Sequence, residues 1–422
     1  MKKIFILSVI LGLALSISAE QDAPIPENTS VFEETKDKVF RWKFEPGDVL
    51  ELRKVGDQTV KFQGSSIKRK VYHRVLLENT EVSPKKGFLL EGSFSTSIKP
   101  NEKRIPYEET EFHKGSFYLN PRGVYEVFPD SFMPNIRSVP SFPEGVDPAG
   151  SGANKMLPGY RWKMSGEEAM KDRLIIKIPF EVQYEYRGIE AFRTEGVNRQ
   201  FHRFTSSYQI NYESEDTLQR ELPVRMFGYV NANWLWDAEA GIPYVATEEY
   251  NVILVYAGGE NREFTIRTTS FYRKIKPMNT TERKSTVANL KESLQGDESI
   301  KVTEEERGIT IEIPDILFSV NSSELNSRSR DIIEKIADGL PAKFSRTLLI
   351  RGHTDSTGRE EFNKSLSLER AKSVATVLME KAELNPELIS YEGRGSAEPA
   401  DSNQTAEGRA RNRRVEIVIL YK

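Results

Sequence analysis

IRGHTDSTGREEFNKSLSLERAKSVATVLMEK, residues 350–381, is the stretch on which the reading of this chain turns. Leu348 to Ile350 read as the end of a buried strand, His353 to Gly358 as a polar turn, and Glu361 to Ala382 as one helix. A helix turns by about 100° per residue, so Asn363 and Arg370 point within about 20° of each other, with Ser367 between them. Ala371, Val374, Ala375, Leu378 and Ala382 make a neighbouring apolar stripe. Packing that stripe on a sheet leaves the Asn363/Arg370 edge at the rim of the core. Asp355 precedes the helix in the DSTG turn, so a carboxylate and a guanidinium converge on the N-terminal half of the helix. Such a pair suits a zwitterion.

Working outward, Ile309 to Ile313 alternates as a strand, and Ser322 or Ser323 is placed to cap a helix carrying Leu325, Ile332, Ile333, Ile336 and Leu340 at helical spacing. Arg346 to Ile350 gives a second strand and Leu388 to Tyr391 a third. Val415, Ile417, Ile419 and Tyr421 alternate on a fourth. The order βαβαββ implies an α/β domain with helices packed on a mixed sheet.

The motifs of this region go together. GHTDSTG at Gly352 to Gly358 is followed by Asn363 and by LSLERA at Leu366 to Ala371. Gly393, Gly395, Pro399, Asn403, Gly408-Arg409 and Asn412-Arg413-Arg414-Val415 then follow in order. With that spacing, residues 305–422 resemble the peptidoglycan-binding domain at the C-terminus of OmpA-like outer-membrane proteins, peptidoglycan-associated lipoproteins and flagellar stator proteins. The resemblance implies that Asp355 and Arg370 engage the diamino acid of the peptidoglycan stem peptide, diaminopimelate or a similar one. It also implies secondary contacts from Asn363, Thr354 and Arg413. A planar guanidinium fork matches a carboxylate, and an aspartate accepts from an ammonium; each charge-assisted contact contributes about 1.5–3 kcal/mol net. One departure is Arg394, where the family commonly carries an aromatic between the two glycines.

Competing chemistry is weak. His353 beside Asp355 invites a metal or hydrolase reading, yet the chain has four histidines and the other three fall far away in sequence. No catalytic, metal or cofactor site is expected. Arg409, Arg411, Arg413 and Arg414 form a basic run flanked by Glu407 and Glu416. Export argues against nucleic acid as its partner, and the run either orders the chain against nearby carboxylates or, through Arg413, touches ligand.

Export is read from the N-terminus: Lys2 and Lys3, an apolar run from Ile4 to Leu15, and small residues at Ser16 to Ala19 make a signal peptide cleaved after Ala19. That run is short for a membrane span and holds no proton-carrying acid, which a stator role requires. There is no cysteine, so disulfides, thiolate chemistry and an N-acyl lipoprotein anchor are excluded. A net charge of −3 gives no general attraction to nucleic acid or to anionic membranes. The expected location is the periplasm or outer membrane of a diderm bacterium.

At 422 residues the chain is too long for one ordinary domain. After a polar lead-in over 20–35, residues 36–275 read as a mostly antiparallel, sandwich-like β region. Val49 to Val55, Val71 to Leu77, Phe88 to Ile98, Phe201 to Tyr212, Tyr244 to Tyr256 and Arg262 to Ile275 are rich in β-branched and aromatic residues. The proline- and glycine-rich stretch 129–160 is expected to split two layers or subdomains, and Gly258-Gly259 suits a hairpin loop. All four tryptophans, Trp42, Trp162, Trp234 and Trp236, belong to this region and are expected in its core. Residues 276–304 read as a linker carrying a short helix with Val287, Leu290 and Leu294.

The whole is therefore read as a non-catalytic envelope protein that ties an exported β region, or the outer membrane, to peptidoglycan. The outer membrane or its proteins are the expected partners of the N-terminal region. The alternative is an integral outer-membrane β-barrel, a pore or adhesin, with the same wall-binding tail. Charges within several of the strands break the lipid-facing band that a barrel requires.

Overall fold

A computed structural model describes residues 40–99, 107–108, 111–128, 139–144, 156–171, 175–194, 197–214, 223–295, 297, 299–314, 318, 322–341, 344–384 and 388–421. The signal peptide and lead-in expectations lie outside the described residues, as do parts of 129–160. The chain divides into two compact units, one of residues 1–101 and 111–275, the other of 102–110 and 276–422.

In the first unit the strands are β1 (Val49–Phe62), β2 (Ser65–Ser83) and β3 (Gly87–Lys99), then, after β4 (Tyr107–Glu108), which belongs to the second unit, β5 (Glu111–Leu119) and β6 (Tyr125–Val127). They continue as β7 (Arg161–Lys171), β8 (Ile175–Thr194), β9 (Val197–Glu213), β10 (Pro223–Asp237), β11 (Ile242–Tyr256) and β12 (Asn261–Ile275). All eleven strands of this unit lie in one antiparallel sheet, ordered β6-β5-β3-β2-β1-β12-β11-β10-β9-β8-β7. Chain neighbours are sheet neighbours almost throughout, because short turns join them. Gln63 and Gly64, both at positive φ, turn β1 back onto β2 with Phe62 opposite Ser65. The expected antiparallel β region is present, and the strands on either side of 129–160 are joined through the pairing of β1 with β12.

One face of this sheet carries the hydrophobic core, and the other mixes charged pairs with a few exposed apolar side chains such as Phe227 and Tyr229. On β11 the buried residues alternate as Ala246, Glu248, Tyr250, Val252, Leu254 and Tyr256. Both halves of the sheet contribute to a single core, into which residues 40–44 and 139–142 also fold. Trp42 meets Trp236 edge-on at 5.1 Å, Phe142 meets Trp236 at 4.9 Å, and Trp162 stacks on Tyr184 at 5.0 Å. The Trp42 and Trp162 ring N–H groups donate to Pro140 O at 2.9 Å and Ser141 O at 2.8 Å, which meets their polar requirement inside the core. All four tryptophans are buried.

Several polar groups on the core face are paired, while the Trp236 ring N–H and the Tyr256 hydroxyl have no hydrogen-bond partner. Lys54 Nζ lies 2.6 Å from Glu248 Oε2, and Thr268 donates to the same oxygen at 3.2 Å. His73, beside Lys54 across the strands, sits 3.0 Å from Thr96 Oγ1. Burial, and then the neighbouring Lys54 charge, pull the His73 imidazole down to about 3, so it stays neutral. The opposite face carries cross-strand ion pairs: Arg161 with Glu185, Lys163 with Glu181, Arg203 with Glu190, Arg225 with Glu213 and Lys61 with Glu263.

The second unit contains α1 (Thr280–Ser293), β13 (Lys301–Glu304), β14 (Gly308–Pro314), α2 (Ser327–Gly339), β15 (Leu348–His353), α3 (Glu360–Lys381), β16 (Ile389–Gly395), α4 (Ala406–Asn412) and β17 (Arg414–Leu420). Its mixed sheet runs β13-β14-β17-β15-β16-β4, with β15 and β16 parallel and β17 antiparallel to both β14 and β15. The expected βαβαββ order is present, with β13 added before it and α4 inserted before the last strand. Asn326, not Ser322 or Ser323, caps α2, its side chain accepting from Ser329 N at 2.9 Å. Ser322 instead holds Glu324 N at 2.9 Å in a local turn.

The segment 276–304 is not a free tether. Met278, Leu290 and Leu294 belong to the buried core of this unit. Met278 N donates to Tyr421 O at 2.8 Å, and the Arg283 guanidinium lies 3.8 Å from the Tyr421 ring centre. Glycine at 339 lets α1 lie close on α2, since a Cβ there would come within 2.6 Å of Ser293 Oγ. The polar composition that suggested a linker belongs to the exposed faces of α1.

Because Leu290 is 0 % exposed, Leu290→Ala should cost about 2–5 kcal/mol and speed hydrogen exchange in β14 and β17 under native conditions. A flexible linker would leave those exchange rates unchanged.

Candidate functional site

The site begins with the close seating of α3 on the sheet. A Cβ on Gly352 would fall 1.9 Å from Ser367 O, and one on Gly393 would fall 2.5 Å from Leu368 N. Only glycine at these strand positions lets the helix backbone approach so closely. Ser367 is thereby drawn into the sheet, where its hydroxyl accepts from Gly395 N at 2.9 Å and donates to Lys364 O at 2.9 Å. Asn363 and Arg370, one turn before and nearly one turn after, are held along the rim, 5 % and 3 % exposed.

Asp355 follows β15 and is also 5 % exposed. Its Oδ1 accepts from Thr357 N at 2.8 Å and from the Thr357 hydroxyl, while Arg413 Nη1 donates to Oδ2 at 2.7 Å. Burial alone would raise this carboxyl, but the bonds from Thr357 and Arg413 outweigh it and hold the group below the ordinary aspartate range. Asn363 Nδ2 ties the turn to the helix by donating to Thr357 O at 2.9 Å and to Asp355 O at 3.3 Å. Thr354 N donates to Gly395 O at 2.9 Å, and its buried Oγ1 has no hydrogen-bond partner.

Arg370 lies further along the same edge. Its Nε donates to Ser322 O at 3.0 Å, and its guanidinium sits 5.0 Å from the Phe318 ring centre. The structure thus joins Asp355, Asn363 and Arg413 in one network, with Thr354 next to Asp355 but its hydroxyl unbonded, and Arg370 two turns along the helix. Arg413 is turned onto Asp355, as the carboxylate-ordering reading expects, while its side chain is 37 % exposed. Sequence spacing gave no sign of this pair, because the two residues lie 58 positions apart and meet only through the sheet.

His353 belongs to a neighbouring ionic cluster. Its Nε2 is 3.4 Å from Glu416 Oε2, and Arg414 Nη2 is 2.6 Å from Glu416 Oε1. Burial again opposes ionisation of Glu416, but His353 and Arg414 draw its carboxyl down to about 2. Arg394, at the family's aromatic position, donates to Glu392 at 2.7 Å, and Glu392 also accepts from Arg351 at 2.8 Å. A charged ladder replaces ring packing there.

Two outcomes follow for these carboxylates. Replacing Arg413 by alanine should raise the Asp355 carboxyl toward the ordinary value of about 3.9, read by carboxyl-carbon NMR titration; an unmoved titration would show that Arg413 does not hold it. Because the folded-state value of Glu416 is depressed, its contribution is present above about pH 4.5 and is lost as pH falls toward 2. That contribution is at most roughly 3 kcal/mol before solvent screening. Glu416→Gln should therefore flatten the acid side of the stability profile between those two pH values.

Comparison with known proteins places these residues. Residues 317–413 match the model of the OmpA family. Outer membrane protein A of Bordetella avium is 42% identical over 106 residues, 25% of this chain and 54% of that protein. A protein of Mycobacterium tuberculosis named peptidoglycan-binding protein ArfA is 40% identical over 104 residues, 25% of this chain and 32% of its own length. The chain thus spans about half or less of these curated relatives. The solved cell wall anchor of the T6SS from Pseudomonas aeruginosa is 30% identical with a TM-score of 0.30, covering 32% of this chain and 97% of that one. Residues 317–413, which hold Asp355, Asn363, Arg370 and Arg413 together with the glycines that seat α3, form a domain of the OmpA family.

Proposed function

We propose that the second unit is a non-catalytic module that binds peptidoglycan, and that Asp355 and Arg370 grip the diamino acid of the stem peptide. The observation carrying this reading is the pair of opposite charges, each at most 5 % exposed, set along one edge of α3 with Asn363 between them. Asp355 is held ionised; Thr357 occupies both lone pairs of Oδ1, so an incoming ammonium would meet Oδ2, which Arg413 also contacts. Arg370 keeps a guanidinium face braced on Phe318, suited to a carboxylate. The relative named for peptidoglycan binding supports the polymer as ligand. Outer-membrane relatives, and the signal-like N-terminus, support an exported protein of the cell envelope.

The β unit is then the part displayed or anchored by this grip, with the outer membrane or its proteins as partners. A lipid-spanning barrel is the weaker reading. Ion pairs lie on the face of the sheet turned away from its core, beside exposed Phe227 and Tyr229, and they break the continuous apolar band that hydrocarbon contact demands.

Pelleting with purified sacculi tests the grip. Asp355→Ala combined with Arg370→Ala should weaken binding at least about a hundredfold, and unchanged pelleting would refute the assignment. Alkaline carbonate should release the protein from membrane fractions, whereas a spanning barrel would stay with the pellet.

A further inference from the structure

Phe227 and Tyr229 stand two apart on β10, so both point away from the core of the β unit. They are 46% and 47% exposed. A single exposed apolar side chain usually carries no meaning. Among the described residues these are the two large exposed aromatics that share one face of one strand, with their Cα atoms about 7 Å apart.

Their surroundings are amides. Further along β10 the outward residues are Asn231 and Asn233, and across the ladder on β9 Asn211 stands opposite Phe227 and Gln209 opposite Tyr229. All six residues are uncharged and exposed. Charge begins at the border of this block, with Arg225 and Glu213 paired at 2.7 Å at one end and Arg267 and Glu249 at 3.5 Å on one side. On β11, opposite Tyr229, Asn251 accepts from the Thr265 hydroxyl at 3.1 Å through Oδ1, while its Nδ2 has no hydrogen-bond partner.

This combination selects a class of ligand. Hydrocarbon would take water from the amides and return nothing in its place. A strongly charged partner finds no opposing charge within the block. A sugar matches both parts: its C–H face lies flat on an aromatic ring, and its rim of hydroxyl and acetamido groups meets side chains that donate and accept. The outward residues from 227 to 233 span about 20 Å, which suits a run of several sugars.

We infer that the outward face of β9 and β10 binds the N-acetylated glycan backbone of peptidoglycan, with Phe227 and Tyr229 as stacking platforms and the flanking amides as the hydrogen-bonding rim. The source of the glycan rests on the peptidoglycan reading above; the platform itself uses neither Asp355 nor Arg370.

The test titrates the full chain with the hexamer of N-acetylglucosamine by calorimetry, with sacculus pelleting alongside. Phe227→Ala combined with Tyr229→Ala should weaken hexamer binding at least about tenfold. Phe227→Tyr should keep it, because the flat face is kept. Phe128→Ala, which removes an exposed aromatic beyond the end of β6, should leave it unchanged. The Asp355/Arg370 double variant should bind the hexamer as the unaltered chain does, even where it no longer pellets with sacculi. No hexamer binding by the unaltered chain, or unchanged binding after loss of both rings, refutes the platform and leaves the grip standing. Full pelleting by the Asp355/Arg370 variant together with hexamer binding that needs the two rings would overturn the grip and support the platform. If loss of the rings weakens binding only to outer-membrane polysaccharide, or only to phospholipid vesicles, the inferred ligand is overturned.

Discussion

The candidate binding edge of this protein depends on one close contact, the backbone of α3 lying against the glycines of β15 and β16. With no side chain at 352 or 393, Ser367 reaches the sheet and is locked to Gly395 by a hydrogen bond. That contact fixes the helix's rotation and depth. Asn363 and Arg370 consequently come to rest at the rim, largely removed from water. A helix a few ångströms further out would leave both as ordinary solvated residues, and a ligand would have to compete with water for each.

Asp355 is ordered by a different means. Its carboxylate is fixed by the Thr357 amide and hydroxyl on one oxygen and by Arg413 on the other. A charge so fixed loses little conformational freedom when a cation arrives. It also remains ionised where a free aspartate would take up a proton. Arg413 therefore orders the Asp355 carboxylate, whereas Arg370 is braced on Phe318 and Ser322.

The β unit follows a separate logic. Its strands are long and its turns short, so the sheet grows by adding neighbours in chain order, and the alternation of side chains gathers most of the large apolar residues on one face and most ion pairs on the other. Residues 139–142, within a stretch expected to separate two layers, instead fold into the common core, where Phe142 meets Phe40 and Trp236. Proline and glycine content correctly marked that stretch as irregular, but irregular backbone can still be buried when its carbonyls find donors, here the ring N–H groups of Trp42 and Trp162.

What the sequence by itself determined is local or periodic. Helical spacing placed Asn363, Ser367 and Arg370 on one edge, alternation marked the strands, and the ordered motifs from Gly352 to Val415 identified the family. The docking of α1 and the pairing of Asp355 with Arg413 were decided only by the tertiary structure. Leu290 and Leu294 announce an apolar stripe but not the helix that covers it. Asp355 and Arg413 are brought within 2.7 Å because β15 and β17 are adjacent in the sheet, a neighbourhood set by strand pairing between distant segments that no local pattern records.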